Sequence, residues 1–286
     1  LLTQGKQSYR GKNQLQDIIE RARVTVVIFD EYQILTTEQF WEAQILEKYR
    51  KQAEATNNHI ILDKQLRMQA GPETMDWIDS FTKRNEIKKL PETVDGYTIK
   101  VFDDPEQLDL EITEKAKKTD SALSRLIATY DWEYSSKVKR RFRKYWEVEI
   151  GAWHKPWNRE LKSELSQKEK RQIKDLAWAE QPQTINEVGS TFTIQGFDLN
   201  YAGVILGPSV KYRNGKVIYD PEKSCNDKAI QNRTLSDGSK QKFGEILIQH
   251  AVRVLMTRGV NGMFIYACDD ELREALKRAT QRGETK

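Results

Sequence analysis

Along the first sixty positions, apolar residues fall into two alternating patterns. Within 13–22 (NQLQDIIERA), Leu15, Ile18 and Ile19 share one face at helical spacing. Residues 24–29 (VTVVIF) form a continuous apolar run rich in β-branched side chains. That composition predicts a strand buried on both faces, as in a parallel sheet. The run stops at the polar pair Asp30-Glu31. Residues 37–53 predict a second helix with Thr37 as its cap, and 59–62 predict a second short strand. Helix, strand, helix, strand in succession point to a layered α/β sheet.

Residues 91–96 (PETVDG) read as a linker. Beyond it, 97–102 predict a strand, 106–118 a helix and 124–130 (SRLIATY) another strand. The stretch 137–174 breaks this rhythm. It is basic and aromatic, and the alternation across 142–153 suggests a hairpin insertion. After Gln181-Pro182 the α/β pattern returns. Residues 203–206 (GVIL) and 263–267 (MFIYA) are expected buried strands, with a helix over 245–256 between them. No internal repeat interrupts this order.

Composition narrows the class. A chain of 286 residues holds about two domains, or one large α/β domain. Seven Trp, eleven Tyr and nine Phe argue against a disordered chain. The apolar stretches are strand-sized, which excludes a membrane span. Two cysteines exclude a disulfide framework and fit a reducing, cytoplasmic setting. The three histidines show no metal spacing, so no metal site is expected. A net charge of +4 permits nucleic-acid binding without demanding it.

Four short stretches carry candidate chemistry. In FDEYQ (29–33), the Asp30-Glu31 pair at a strand end can hold magnesium or position water beside a nucleotide. Gln33 is offset to reach a phosphate oxygen or an attacking water. Buried strands also end in acidic caps, and that bland reading stays open. In LDKQLR (62–67), Arg67 can project a guanidinium into a cleft suited to phosphate. Alone, it reads as an ordinary surface or salt-bridged arginine. In EVGSTFTIQGFD (187–198), Gln195-Gly196 precede an acid and then a buried strand. Gly196 permits close approach of the backbone to a ligand. Asp198 can accept from a ribose hydroxyl or organise a neighbouring arginine. In VRVLMTRG (252–259), Thr257-Arg258 sits where a helix should end. An arginine there is placed to stabilise a transferring phosphoryl group, or simply to cap the helix.

The order and spacing of these stretches resemble the carboxy-terminal part of superfamily 1 helicase-like P-loop ATPases. More closely, they resemble the bacterial and phage family related to the helicase-like region of Schlafen proteins. The resemblance covers nearly the whole chain and is most specific over 189–207 and 254–269. It implies an α/β fold of RecA-like parallel sheets flanked by helices. A partial first RecA-like domain would span 1–81 and a linker 82–96. A complete second domain would span 97–286, with the basic-aromatic insertion near 135–180. Gln195, Gly196 and Asp198 match motif V, Thr257-Arg258 motif VI with Arg258 as the arginine finger, and Arg67 the motif IV arginine. Asp30-Glu31 admits two assignments, the Walker B acids or motif III. Gln33 favours motif III.

No G-x-x-x-x-G-K-[ST] occurs in the chain. The resemblance therefore implies ATP and Mg2+ as cofactors of the intact parent and none bound to this chain, a truncated fragment expected not to hydrolyse ATP. Between 137 and 146 (KVKRRFRKYW), cations alternate with rings, which suits single-stranded DNA or RNA. Lys139, Arg140, Arg141, Arg143 and Trp146 are the candidates there. Their alternative is a solvated face. The expected function is an ATP-dependent helicase or translocase-like protein. The rival is a non-hydrolysing nucleic-acid-binding or regulatory module on the same scaffold. A nuclease would need paired carboxylates, which Asp103-Asp104 and Asp269-Asp270 do not supply.

Overall fold

The computed structural model describes residues 14–62, 65–91, 96–118, 120, 122–135 and 143–280. They group into two compact units divided in sequence between Glu31 and Tyr32. The first holds helix α1 (Gln14–Ile19), as the periodicity predicts. The strand expected over 24–29 does not form: Val24, Val26 and Ile28 are 81%, 83% and 86% exposed. A strand exists through its ladder of cross-strand hydrogen bonds, and no described strand pairs with this run. The strand expected over 59–62, in the second unit, fails for the same reason, with Ile60, Ile61 and Leu62 exposed.

The second unit is built on a five-stranded sheet, all parallel. Its strands are β1 (Thr98–Val101), β2 (Arg125–Ala128), β5 (Val188–Ser190), β6 (Leu199–Leu206) and β11 (Gly259–Ala267). Their spatial order is β1-β11-β6-β2-β5. The central strands read as continuous apolar runs because both faces are covered. Alternate residues divide cleanly between them. Ile127, Val204, Met263 and Ile265 join one core with Trp77, Ile78 and Phe81 of α3 (Pro72–Lys83), Val252 and Leu255 of α8 (Gly244–Met256), and Leu272 and Leu276 of α9 (Asp270–Thr280). Leu126, Ala128, Ile205 and Phe264 join the other with Leu108 and Ile112 of α4 (Pro105–Ala116).

The insertion between β2 and β5 supplies the expected hairpin, shifted to β3 (Glu147–Ile150) and β4 (Trp153–Pro156), followed by the short α5 (Gln167–Gln172). Its Val148 and the adjacent Trp157 pack into the α4-side core. After β5 comes the single turn α6 (Thr191–Ile194). Between β6 and α8 the chain adds β7 (Val210–Arg213), β8 (Lys216–Tyr219), α7 (Asp227–Ile230), β9 (Asn232–Thr234) and β10 (Lys240–Lys242).

The helix expected from Thr37 starts later, as α2 (Ala43–Ala55). Thr37 lies instead in a 3-10 turn, where its hydroxyl donates to the Ala229 carbonyl at 3.1 Å rather than capping a helix. The stretch leaving α3 is clasped by later elements. Val217 N–H donates to Asn85 O at 2.9 Å, the Tyr219 hydroxyl to Phe81 O at 2.9 Å, and Leu90 N–H to Ala279 O at 2.9 Å. Helix α4 is started by Asp104, whose carboxylate accepts from the Glu106 N–H at 2.9 Å. Asp104→Ala is expected to lower stability by about 1 kcal/mol, read as an earlier urea midpoint with an unchanged slope.

Candidate functional site

The amino ends of the adjacent strands β6 and β11 carry the candidate residues. At β6, helix α6 gives way to Gln195, then to Gly196 at φ +84°, then to Phe197 and Asp198. A Cβ on Gly196 would meet nothing within 4 Å, so the turn opens onto space. At β11, Thr257 closes α8, its hydroxyl donating to Arg253 O at 2.9 Å. Arg258 follows, 1% exposed. Its Nε donates to Val254 O at 3.0 Å and its Nη1 to Phe197 O at 3.3 Å. The same Nη1 lies 3.8 Å from Asp198 Oδ1. Thus Arg258 terminates the helix and also faces Asp198.

Arg67 comes to the same place from a different segment. Gln65 folds back so that its Oε1 accepts the backbone N–H groups of Arg67 and Met68. Gln69 N–H then donates to Val260 O at 2.8 Å, which hangs the loop on the start of β11. Arg67 Nε lies 2.5 Å from Asp198 Oδ1. One carboxylate oxygen therefore serves two guanidinia. Gln33 arrives from a third segment: the Gln195 side chain donates to the Gln33 carbonyl at 3.4 Å.

The strip that delivers Gln33 is held by contacts from distant parts of the chain. Tyr32 stands edge-on to His250, with ring centroids 5.7 Å apart. Lys83 Nζ and Arg253 Cζ lie 4.1 and 5.0 Å from its centroid, a cation–π arrangement. His250 Nδ1 sits 3.1 Å from the Ile34 carbonyl, which makes Nδ1 the protonated, donating nitrogen. Phe40 stacks on Phe243 at 3.9 Å. The signal available was the aromatic and apolar run 32–35 just after the acids, and it gave no hint of these distant partners.

Arg67, Asp198 and Arg258 thus converge; Gln195 and Gly196 precede Asp198 in the same turn, Gln33 reaches Gln195 through its backbone carbonyl, and the Thr257 hydroxyl bonds back to α8. Asp30 and Glu31 lie exposed at the end of the first unit. In the basic-aromatic segment, Lys139, Arg140 and Arg141 lie outside the described residues. Arg143 Nη1 sits 3.3 Å from both Glu147 and Glu149, and Trp146 packs half-buried against the α4-side core. In these two residues the structure shows ion pairing and packing.

At the opposite, carboxyl edge lies a residue the sequence reading passed over. Asp131, just beyond β2, accepts from the Thr129 hydroxyl and from Ser209 N–H, both at 2.9 Å. Thr129 in turn accepts from Gly207 N–H at 2.8 Å. These bonds close the space between β2 and β6, where the direction of chain winding reverses. Ligands of such sheets ordinarily enter there. Burial pushes the Asp131 carboxyl up to about 6. Burial also pushes the nearby Cys268 thiol up to about 12, so it is not a ready nucleophile.

Against known families, residues 1–269 match the Schlafen group 3, DNA/RNA helicase domain. The chain belongs to this family. The Schlafen-related, helicase-like resemblance carried by its motifs is thereby borne out. An uncharacterized protein of Saccharomyces cerevisiae is 29% identical over 306 residues, covering 99% of this Schlafen-family chain and 63% of the relative. The chain therefore spans about 63% of that relative's length. No solved structure matches. Among the described residues, no helix is long and apolar enough to cross a membrane.

Proposed function

We propose that this Schlafen group 3 domain is the phosphate-sensing part of an ATP-dependent engine acting on DNA or RNA. One observation carries the reading: Arg67, Asp198 and Arg258, from three separated segments, meet at the amino ends of β6 and β11, two residues from the open space over Gly196. Guanidinia paired in this way suit the charge on a terminal phosphate. The residues present fit the phosphate end of ATP. The chain offers no glycine-rich lysine loop for the remainder of the nucleotide or for its magnesium. ATP would supply the phosphoryl group; Arg67 would bind its terminal oxygens, Asp198 would orient both arginines before the nucleotide enters, and the Gln33–Gln195 contact would tie the strip 32–35 to the turn at Gly196. The exposed apolar runs 24–29 and 60–62 support reading part of a first RecA-like domain ahead of α3, whose Trp77, Ile78 and Phe81 pack with the five-stranded sheet of the second domain.

The test is ATP turnover by the full-length parent, with and without single-stranded DNA or RNA. Nucleic-acid-stimulated turnover that falls at least about tenfold in Arg67→Ala supports the engine. Arg67 is the better probe because buried Arg258 also ends α8. That burial favours a second reading, a nucleic-acid-binding or regulatory module in which Arg258 is a brace. A folded parent that binds nucleic acid and shows no turnover would select it.

A further inference from the structure

We propose that Asp198 is a resident anion for Arg67 and Arg258, holding both guanidinia until a phosphate-type oxyanion displaces it. The inference rests on the reading of these arginines as phosphate contacts and adds how the site is kept without one.

The geometry argues for it in three steps. First, both arginines address the same atom, Asp198 Oδ1, with Arg67 Nε at 2.5 Å and Arg258 Nη1 at 3.8 Å. Two guanidinia directed at one carboxylate oxygen favour a further anion at Arg67, the more exposed of the two. A single carboxylate oxygen also uses little of the donor capacity of the Arg67 guanidinium, which carries five N–H groups. Second, the two arginines differ in freedom. Arg258 is sealed by the carbonyls of Val254 and Phe197. The Arg67 side chain is 34% exposed, and its terminal amino groups find no other partner among the described residues. Third, the carboxylate is free to leave. The Asp198 side chain is 44% exposed, it stands two residues after Gly196 at φ +84°, and the space over that glycine is open. An oxyanion with several acceptor oxygens would satisfy Arg67 bidentately, as one carboxylate oxygen does not.

The ligand class is thus a phosphate oxyanion, free or terminal on a nucleotide. The experiment titrates the chain 1–286 with inorganic phosphate and, separately, with ATP, by calorimetry at low salt. Asp198→Asn keeps the shape and removes the charge. It is expected to bind inorganic phosphate about tenfold tighter than the unaltered chain. The gain should vanish in Asp198→Asn combined with Arg67→Ala. Asp198→Ala serves as a second variant, with thermal unfolding to check that each is folded. Folded Asp198→Asn and Asp198→Ala proteins that bind phosphate no tighter than the original would overturn the proposal and leave Asp198 a structural ion pair. The ATP arm addresses the parent reading separately. Tighter phosphate binding with no preference for ATP sustains the displacement and counts against a nucleotide site.

Discussion

Replacing Gly259 by alanine is expected to destabilise the second unit by roughly 3 kcal/mol. A Cβ there would sit 2.0 Å from the Gly262 carbonyl oxygen and 3.3 Å from Ala202 N. Both are backbone atoms, so no side-chain rotation relieves the clash. The register of β11 against β6 shifts between Gly259 and Gly262, and the crowded carbonyl belongs to that bulge. The effect should reach the site as well. Arg258 immediately precedes the bulge, and the Arg67 loop hangs on Val260 within it. A methyl group at Gly259 therefore pushes on the backbone that aims both arginines. Gly196→Ala is the comparison: its space is open and only its positive φ is at stake, so about 1 kcal/mol is expected. Urea unfolding followed by tryptophan fluorescence would measure both. Equal losses in the two variants would mean the bulge yields easily and does not aim the site.

The second large effect is a pH dependence. Asp131 has its carboxyl raised by burial from its ordinary 3.8 to about 6. Between those values the folded protein holds a proton that the unfolded chain has released. Stability from this group is thus fully present below 3.8 and is lost as pH rises through about 6. The displacement corresponds to roughly 3 kcal/mol, since each pKa step of one is worth about 1.4 kcal/mol. Asp131→Asn keeps an acceptor for Thr129 and Ser209 and removes the titration. The variant should gain on the original by about 2–3 kcal/mol between pH 4 and pH 7.5, whatever the other groups contribute in common. A stability difference that stays flat over that range would show that the carboxyl titrates normally in the folded state.

How much of this was legible follows from what each residue depends on. Strands β6 and β11 and helix α8 were readable because burial on both sheet faces writes an uninterrupted apolar run, and one-sided packing writes a helical stripe. The runs at 24–29 and 59–62 are just as apolar, yet they form no strand, because a ladder needs a partner that local sequence does not contain. The charged hairpins β7–β8 and β9–β10 were not read: they are short, and every β10 residue is exposed. At the site, residue types were legible and pairings were not. Asp198 suggested a neighbouring arginine, but the fold alone brings Arg67 and Arg258 to one oxygen. Asp131 was invisible because a group that bonds it, the Ser209 N–H, lies far along the chain.

The clasp between α3 and β1 has a topological consequence. Phe81, Asn85 and Leu90 are bonded to β8 and to the end of α9, elements that the chain reaches only much later. The covalent link from α3 to β1 is therefore duplicated by non-covalent ones. Two polypeptides divided at this point would carry complementary halves of one interface, with Trp77, Ile78 and Phe81 on one and the waiting core on the other. The sheet thus holds α3 by its surface as well as by its tether, so the two pieces are expected to associate when produced separately.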